Sequence, residues 1–225
     1  MFFSISAAVI LFILLLKFVS KRLKNKKLDS VMGKIHCKCG ALMLILLLMH
    51  IVSSVSLFES RPFYIYAMGA AAVLCVLAAF GSYYFRNRLG KKWLGLHRAM
   101  FCLVLVLVIG HIGGYLASVS MYQNQVSRIR ISNVDLSRVP DGIYQGEYDV
   151  KYIYAKVNVT VSRGAITDIR ILQHRNERGS AAEDITKTIM KEQKINVDAV
   201  SGATNSSKVI EKAVENALEN RIKTK

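Results

Sequence analysis

Two stretches of this chain, HCKCGALMLILLLMH at residues 36–50 and HRAMFCLVLVLVIGH at residues 97–111, are apolar runs that begin and end on histidine. Four of its five histidines therefore form two pairs fourteen residues apart, His36 with His50 and His97 with His111. Fourteen steps of an α-helix turn about 1,400°, only about 40° short of four turns, and rise about 21 Å. Each pair thus shares one helix face at two well-separated levels. Ionisable side chains are costly inside an apolar helix, so two on one face point to a ligand that offsets the cost. Zinc asks for about four donors around one point, and levels this far apart cannot pool theirs. A porphyrin iron brings four nitrogens of its own and needs only axial partners. Two facing imidazoles complete its shell and leave no position for oxygen, an arrangement suited to electron transfer. The competing reading is that the histidines only hydrogen-bond neighbouring helices. The same interval on two helices argues against it.

The elements that would hold these residues follow from hydropathy and charge. The chain has 225 residues, is 52% hydrophobic and carries a formal net charge of +16. A soluble globule does not combine these values; a membrane protein with charged loops and tails does. Four apolar runs, about 1–20, 40–58, 63–85 and 94–117, approach the roughly 20 residues a helix needs to cross a bilayer core. Lys17, Lys21, Arg22, Lys24, Lys26, Lys27, Lys34 and Lys38 crowd the first connection, and Arg86, Arg88, Lys91, Lys92 and Arg98 the third. The second connection, LFESRPF, has only Arg61 and an acid. The positive-inside rule places both basic loops in the cytoplasm and the N-terminus and everything after residue 118 outside, in a cell membrane. In the first run the positive charge follows the apolar stretch, the reverse of a signal peptide, so it reads as a retained helix.

The second and fourth helices then run parallel. His36 and His97 share the inner level, His50 and His111 the outer one, and these four are the expected metal ligands. Gly33, Gly40, Gly95, Gly110, Gly113 and Gly114 would let a flat macrocycle approach, and Lys34, Lys38 and Arg98 could meet its propionates. Cys37 and Cys39 read as structural, since a lone C-x-C is weak as a metal motif. The basic excess flanks apolar helices and no nucleic-acid motif accompanies it, so no nucleic-acid partner is expected.

After residue 118 the character changes. Residues 119–139 read as a polar linker and 140–225 as a small α+β domain, after a transmembrane domain at 1–118. YQGEYDV, YIYAKVNVTVS and AITDIRIL alternate as strands, with Ser162-Arg163-Gly164 as a hairpin turn. AAEDITKTIMKEQ and SSKVIEKAVENALENRI have helical spacing. Between them lies VDAVSGATNSSK. Gly202 permits a tight turn, and Thr204, Ser206 and Ser207 stand where a helix start favours an anion such as phosphate. Read alone, the segment is equally a capped helix start. The fold class expected is an all-α, four-helix transmembrane bundle followed by a small α+β extracytoplasmic domain.

Two resemblances sharpen this. Over about residues 28–118 the paired histidines on parallel helices resemble the two-haem cores of b-type cytochromes, nearest to the ferric reductase and NADPH oxidase transmembrane domain. This chain has four such helices where that domain has six, and no G-x-G-x-x-G follows a strand. Over about residues 140–220, DGIYQGEY, RGAITDIRIL and VDAVSGATNSS resemble in order the FMN-binding domain also found in the C subunit of the sodium-translocating NADH:quinone reductase. That resemblance implies FMN esterified to Thr204 by a flavin transferase working outside the cytoplasm. It makes Asp198 through Ala203, with Ser201 and Gly202, the recognition segment, and Ser207 a phosphate neighbour. HRNERGS stands where the family often has Glu-Thr-Pro-Gly: Glu177 and Gly179 match and Arg178 does not, leaving Arg178 without an assigned role. His174 reads as an exposed loop residue.

Together these imply transmembrane electron transfer, an oxidoreductase or flavocytochrome b with two haems b and one covalent FMN. The donor would be a membrane quinol or a cytosolic flavoprotein, and the acceptor extracytoplasmic. The alternative is a membrane-anchored flavin module, or an accessory subunit of a larger redox complex, without haem.

Overall fold

A computed structural model describes residues 2–23, 25–176 and 179–222, with side chains up to residue 219. The chain divides into two compact units, residues 1–59 with 63–112, and residues 60–62 with 113–225.

The first unit is helical. Helix α1 spans Phe2–Arg22, α2 Lys26–Val55, α3 Phe63–Tyr84 and the short α4 Arg86–Leu89, and α5 begins at Trp93. Helix α2 starts well before the apolar run that announces it. Asn25 caps it, its side chain accepting from the Leu28 N–H at 3.1 Å, and lysines propagate a helix as readily as leucines do. Lys17 of α1 pairs with Asp29 of α2 at 2.6 Å, and Ser20 donates to the same carboxylate at 3.1 Å. This basic residue therefore ties α1 to the first turn of α2. Gly90, at φ +55°, takes a backbone conformation open to glycine and breaks the chain between α4 and α5.

Helix α5 spans Trp93–Ser127, 35 residues. At about 1.5 Å per residue it is about 52 Å long, well beyond a hydrocarbon core of about 30 Å. Residues 115–127 contain neither glycine nor proline, so nothing local stops it where the apolar run ends. α1, α2, α3 and the stretch containing α5 are long and apolar enough to cross a membrane. Their apolar residues lie on all sides, Phe12, Ile45, Leu74 and Val106 being exposed, as suits helices surrounded by an apolar medium.

The second unit contains the end of α5 and a three-stranded antiparallel sheet in the order β1-β2-β3. Its strands are β1 (Gly142–Asp149), β2 (Tyr154–Ser162) and β3 (Ala165–Arg175). Ser162 pairs with Ala165, so the β2–β3 loop is Arg163-Gly164, both with positive φ, as the tightest hairpins require. Ala155, Val157, Val159 and Val161 point alternately into the core. Helix α6 (Ile185–Glu192) follows a 3-10 turn at Ser180–Asp184, and α7 spans Thr204–Ile222. The sheet buries its inner face against Ile210, Val214 and Leu218 of α7 and Ile185 and Ile189 of α6. Gly146 is where α7 lies directly on β1: a Cβ there would overlap the backbone of Ala213 and Ala217.

Residues 119–139, read as a polar linker, are packed instead. Val126, Ile129 and Val139 belong to the core of the second unit. Glu215 of α7 accepts from the Ser132 N–H at 3.2 Å, and Asn133 Oδ1 from the N–H groups of Ile195 and Asn196 at 2.9 and 3.0 Å. The polar composition that suggested a tether supplies the hydrogen bonds that dock it.

Candidate functional site

In the first unit the rings of His36 and His97 lie with centroids 6.0 Å apart and planes at 62°, and those of His50 and His111 at 6.3 Å and 87°. Helix periodicity puts each pair on one face of α2 or α5, and the fold brings the faces together at both levels. Metal–imidazole bonds of about 2.0–2.1 Å, added to the offset of each nitrogen from its ring centre, give about 6.3 Å for two imidazoles on opposite sides of one ion. Both pairs stand at that separation. Among the described residues no three or more of His, Cys, Asp or Glu converge; each level brings together two imidazoles.

In three of these rings the second nitrogen is also engaged. His97 Nδ1 is 2.9 Å from the Ala79 carbonyl and His111 Nδ1 is 2.9 Å from the Ile65 carbonyl. His50 Nδ1 is 3.1 Å from Ser4 Oγ. A carbonyl only accepts, so Nδ1 of His97 and of His111 donates the hydrogen bond, which in the neutral imidazole leaves the lone pair on Nε2. This is the usual outer-shell arrangement of ligating histidines. His36 Nδ1 is buried without a hydrogen-bond partner among the described residues. Ile65 and Ala79 are themselves fourteen residues apart on α3. The histidine interval therefore recurs as an interval of backbone acceptors, which side-chain motifs do not reveal.

Of the expected small residues, Gly40, one turn beyond His36 on its face, and Gly95 have no atom within 4 Å of an added Cβ. Gly110 faces Met68 Sδ at 3.2 Å, and Gly33 faces Lys17. Gly69 of α3 is the glycine that makes room for an imidazole, with the His111 ring 3.2 Å from where its Cβ would stand.

The second unit contains a cavity of about 390 Å³, within the range of about 300–1,000 Å³ of small-molecule sites. Gly202, Ala203, Thr204, Asn205 and Ser206 form one side of it and Gly179 another. Gly202 has φ +75°, which turns the chain into α7. The Ser207 N–H donates to the Ala203 carbonyl at 2.9 Å, the first bond of the helix. By helix geometry the N–H groups of Thr204, Asn205 and Ser206 have no acceptor within the helix, and they offer a phosphate three donors and the positive end of a dipole. Thr204 is exposed at this end.

The remaining residues of the motif divide. Ser207 is fully buried and its Oγ accepts from the Val200 N–H at 3.1 Å. It closes the loop behind the site; the serine that lines the cavity is Ser206. Asp198 and Ser201 are exposed and do not line it. Glu211, 2% exposed, accepts from the Val197 N–H at 3.0 Å and holds the start of the loop. Burial pushes its carboxyl up to about 7, against the lowering effects of that hydrogen bond and of Lys208.

Gly179 faces the cavity because nothing larger fits: a Cβ there would fall on Ser206 Oγ. Its N–H donates to Asn176 Oδ1 at 2.8 Å. Glu177 and Arg178 lie outside the described residues. His174 is not an exposed loop residue: it lies on β3, its side chain is 2% exposed, and Nδ1 is 2.9 Å from Glu183 Oε1. The sheet's last strand is longer than the alternation suggests and carries His174 under the 3-10 turn.

Ile153 and Asn205, and two aromatic lining residues, were missed in the sequence. Tyr122 of α5 and Tyr152 of the β1–β2 loop line the cavity and stack on each other, centroids 4.8 Å apart and planes at 29°. Neither belongs to a motif, and Tyr122 falls in the segment read as linker.

No curated protein and no solved structure matches the chain. Residues 153–219, from the loop before β2 to the last turns of α7, match the FMN-binding domain family, and such a domain points to flavin-based electron transfer.

Proposed function

We propose that this chain is a membrane electron conduit. In this reading α1, α2, α3 and α5 cross a cell membrane, His36 with His97 and His50 with His111 each hold one haem b, and Thr204 carries FMN in a domain outside the membrane. The iron centres supply one-electron carriage, and the flavin exchanges electrons with an extracytoplasmic acceptor. The donor is a membrane quinol or a cytosolic flavoprotein, and a flavin transferase attaches the FMN.

The observation that carries the reading is the matched pairing of the four rings, 6.0 and 6.3 Å between centroids, with Nδ1 of His97 and His111 turned to α3 carbonyls. The lysine and arginine distribution supports the topology, and a covalent tether suits an exterior location, where a dissociated cofactor is lost. Tethering also keeps the flavin at high effective concentration.

The test is cofactor analysis of the purified full chain. The expected result is two low-spin haems b and one covalent FMN per chain, with His50→Ala and His97→Ala each removing one haem signal. Thr204→Ala should abolish the fluorescence that stays with the denatured chain. A reduced-minus-oxidised spectrum with no b-type signal defeats the conduit and leaves the haem-free flavin module or accessory subunit.

A further inference from the structure

The cavity beside Thr204 has two chemically different ends. The start of α7 offers N–H groups to an anion. The stacked rings of Tyr122 and Tyr152 present aromatic surface, and stacked aromatic walls suit a flat, conjugated partner. Both lie in one cavity of about 390 Å³, with Ile153 and Ala203 adding apolar surface.

The rings are fixed. Asn205 Nδ2 donates to Tyr122 Oη at 2.9 Å, linking the first ring to the residue that follows Thr204. Tyr152 Oη and Ser118 Oγ share a hydrogen bond of 2.6 Å. Tyr152 is 6% exposed, so core packing also holds it in place.

We propose that the Tyr122–Tyr152 stack is the wall on which the isoalloxazine ring of the flavin rests, with Asn205 joining that wall to the attachment point. The inference builds on the assignment of FMN to Thr204. An ester at Thr204 fixes only the phosphate end, and the ribityl chain leaves the ring free to swing. The stack holds the redox-active end in one orientation.

The experiment uses the full chain in detergent, co-expressed with a flavin transferase, and reads flavin emission and time-resolved anisotropy at equal flavin content. In the wild type, emission is several-fold below that of free FMN, because a stacked tyrosine quenches it, and anisotropy decays with the tumbling of the whole particle. Tyr122→Leu keeps the fluorescent band on a denaturing gel, brightens the folded protein and adds a fast depolarisation. Tyr122→Phe keeps the slow anisotropy. A wild-type flavin as bright and mobile as free FMN overturns the proposal without any variant. So does a flavin-bearing Tyr122→Leu chain that behaves as wild type. A wild-type chain with no covalent flavin instead overturns the Thr204 assignment, and the gel shows which has failed.

Discussion

Glu211→Gln tests how the loop that leads into Thr204 is held. The Glu211 carboxyl is buried against the loop, accepts from the Val197 N–H, and has its pKa raised from 4.5 to about 7. The folded state binds this proton more tightly than the unfolded state. Between pH 4.5 and about 7, folding therefore takes up a proton and stability falls as pH rises. Below that window both states are protonated and the contribution is flat; above it both are ionised and the full cost is present. The upward shift corresponds to about 3 kcal/mol at 1.36 kcal/mol per pKa unit. A glutamine preserves the acceptor oxygen and cannot ionise. Native-state hydrogen exchange of the β2 amides, which sit in the core, reads the opening free energy of this unit. Wild-type protection, corrected for intrinsic exchange, should fall about 10–10²-fold from pH 5 to 7.5 relative to Glu211→Gln and level above that. Equal pH dependence in the two proteins would refute the reasoning.

Other expectations follow from single contacts. Ser4→Ala removes one contact of His50, the hydroxyl 3.1 Å from its Nδ1. If His50 holds a haem as proposed and Ser4 accepts from its Nδ1, losing that contact makes the ligand less basic, and a redox titration should show one haem potential rising and the other unchanged. Gly146→Ala drives a methyl into the α7 backbone and should destabilise the second unit by about 1–3 kcal/mol, read by the same exchange measurement. Gly179→Ala displaces Ser206 from the cavity wall; covalent flavin per chain should drop while β2 protection stays near wild type.

How much of this the sequence carries depends on how local the physics is. A fourteen-residue interval fixes a shared face because helical pitch is a property of the backbone alone, so the two-level histidine pattern could be read directly. The turn at Gly202 and the helix start at Thr204 were legible for the same reason, as was the Arg163-Gly164 hairpin. Serine chemistry two and three residues into a helix was not. Ser206 and Ser207 are alike in sequence, and only the position of Val200 decides that Ser207 closes the loop while Ser206 faces the cavity.

The sequence by itself determined the helices, the histidine spacing and the strand–helix order of the second unit, because periodicity and turn chemistry act over a few residues. Tertiary structure alone decided the contacts between distant segments. Ile65 and Ala79 became imidazole acceptors through their carbonyls, which every residue possesses and no motif marks. Tyr122 reached the cavity because α5 continues past its apolar stretch, and His174 was buried by the turn laid over β3. Each of these depends on which surfaces meet, and that is set by packing of the whole unit, not by neighbours along the chain.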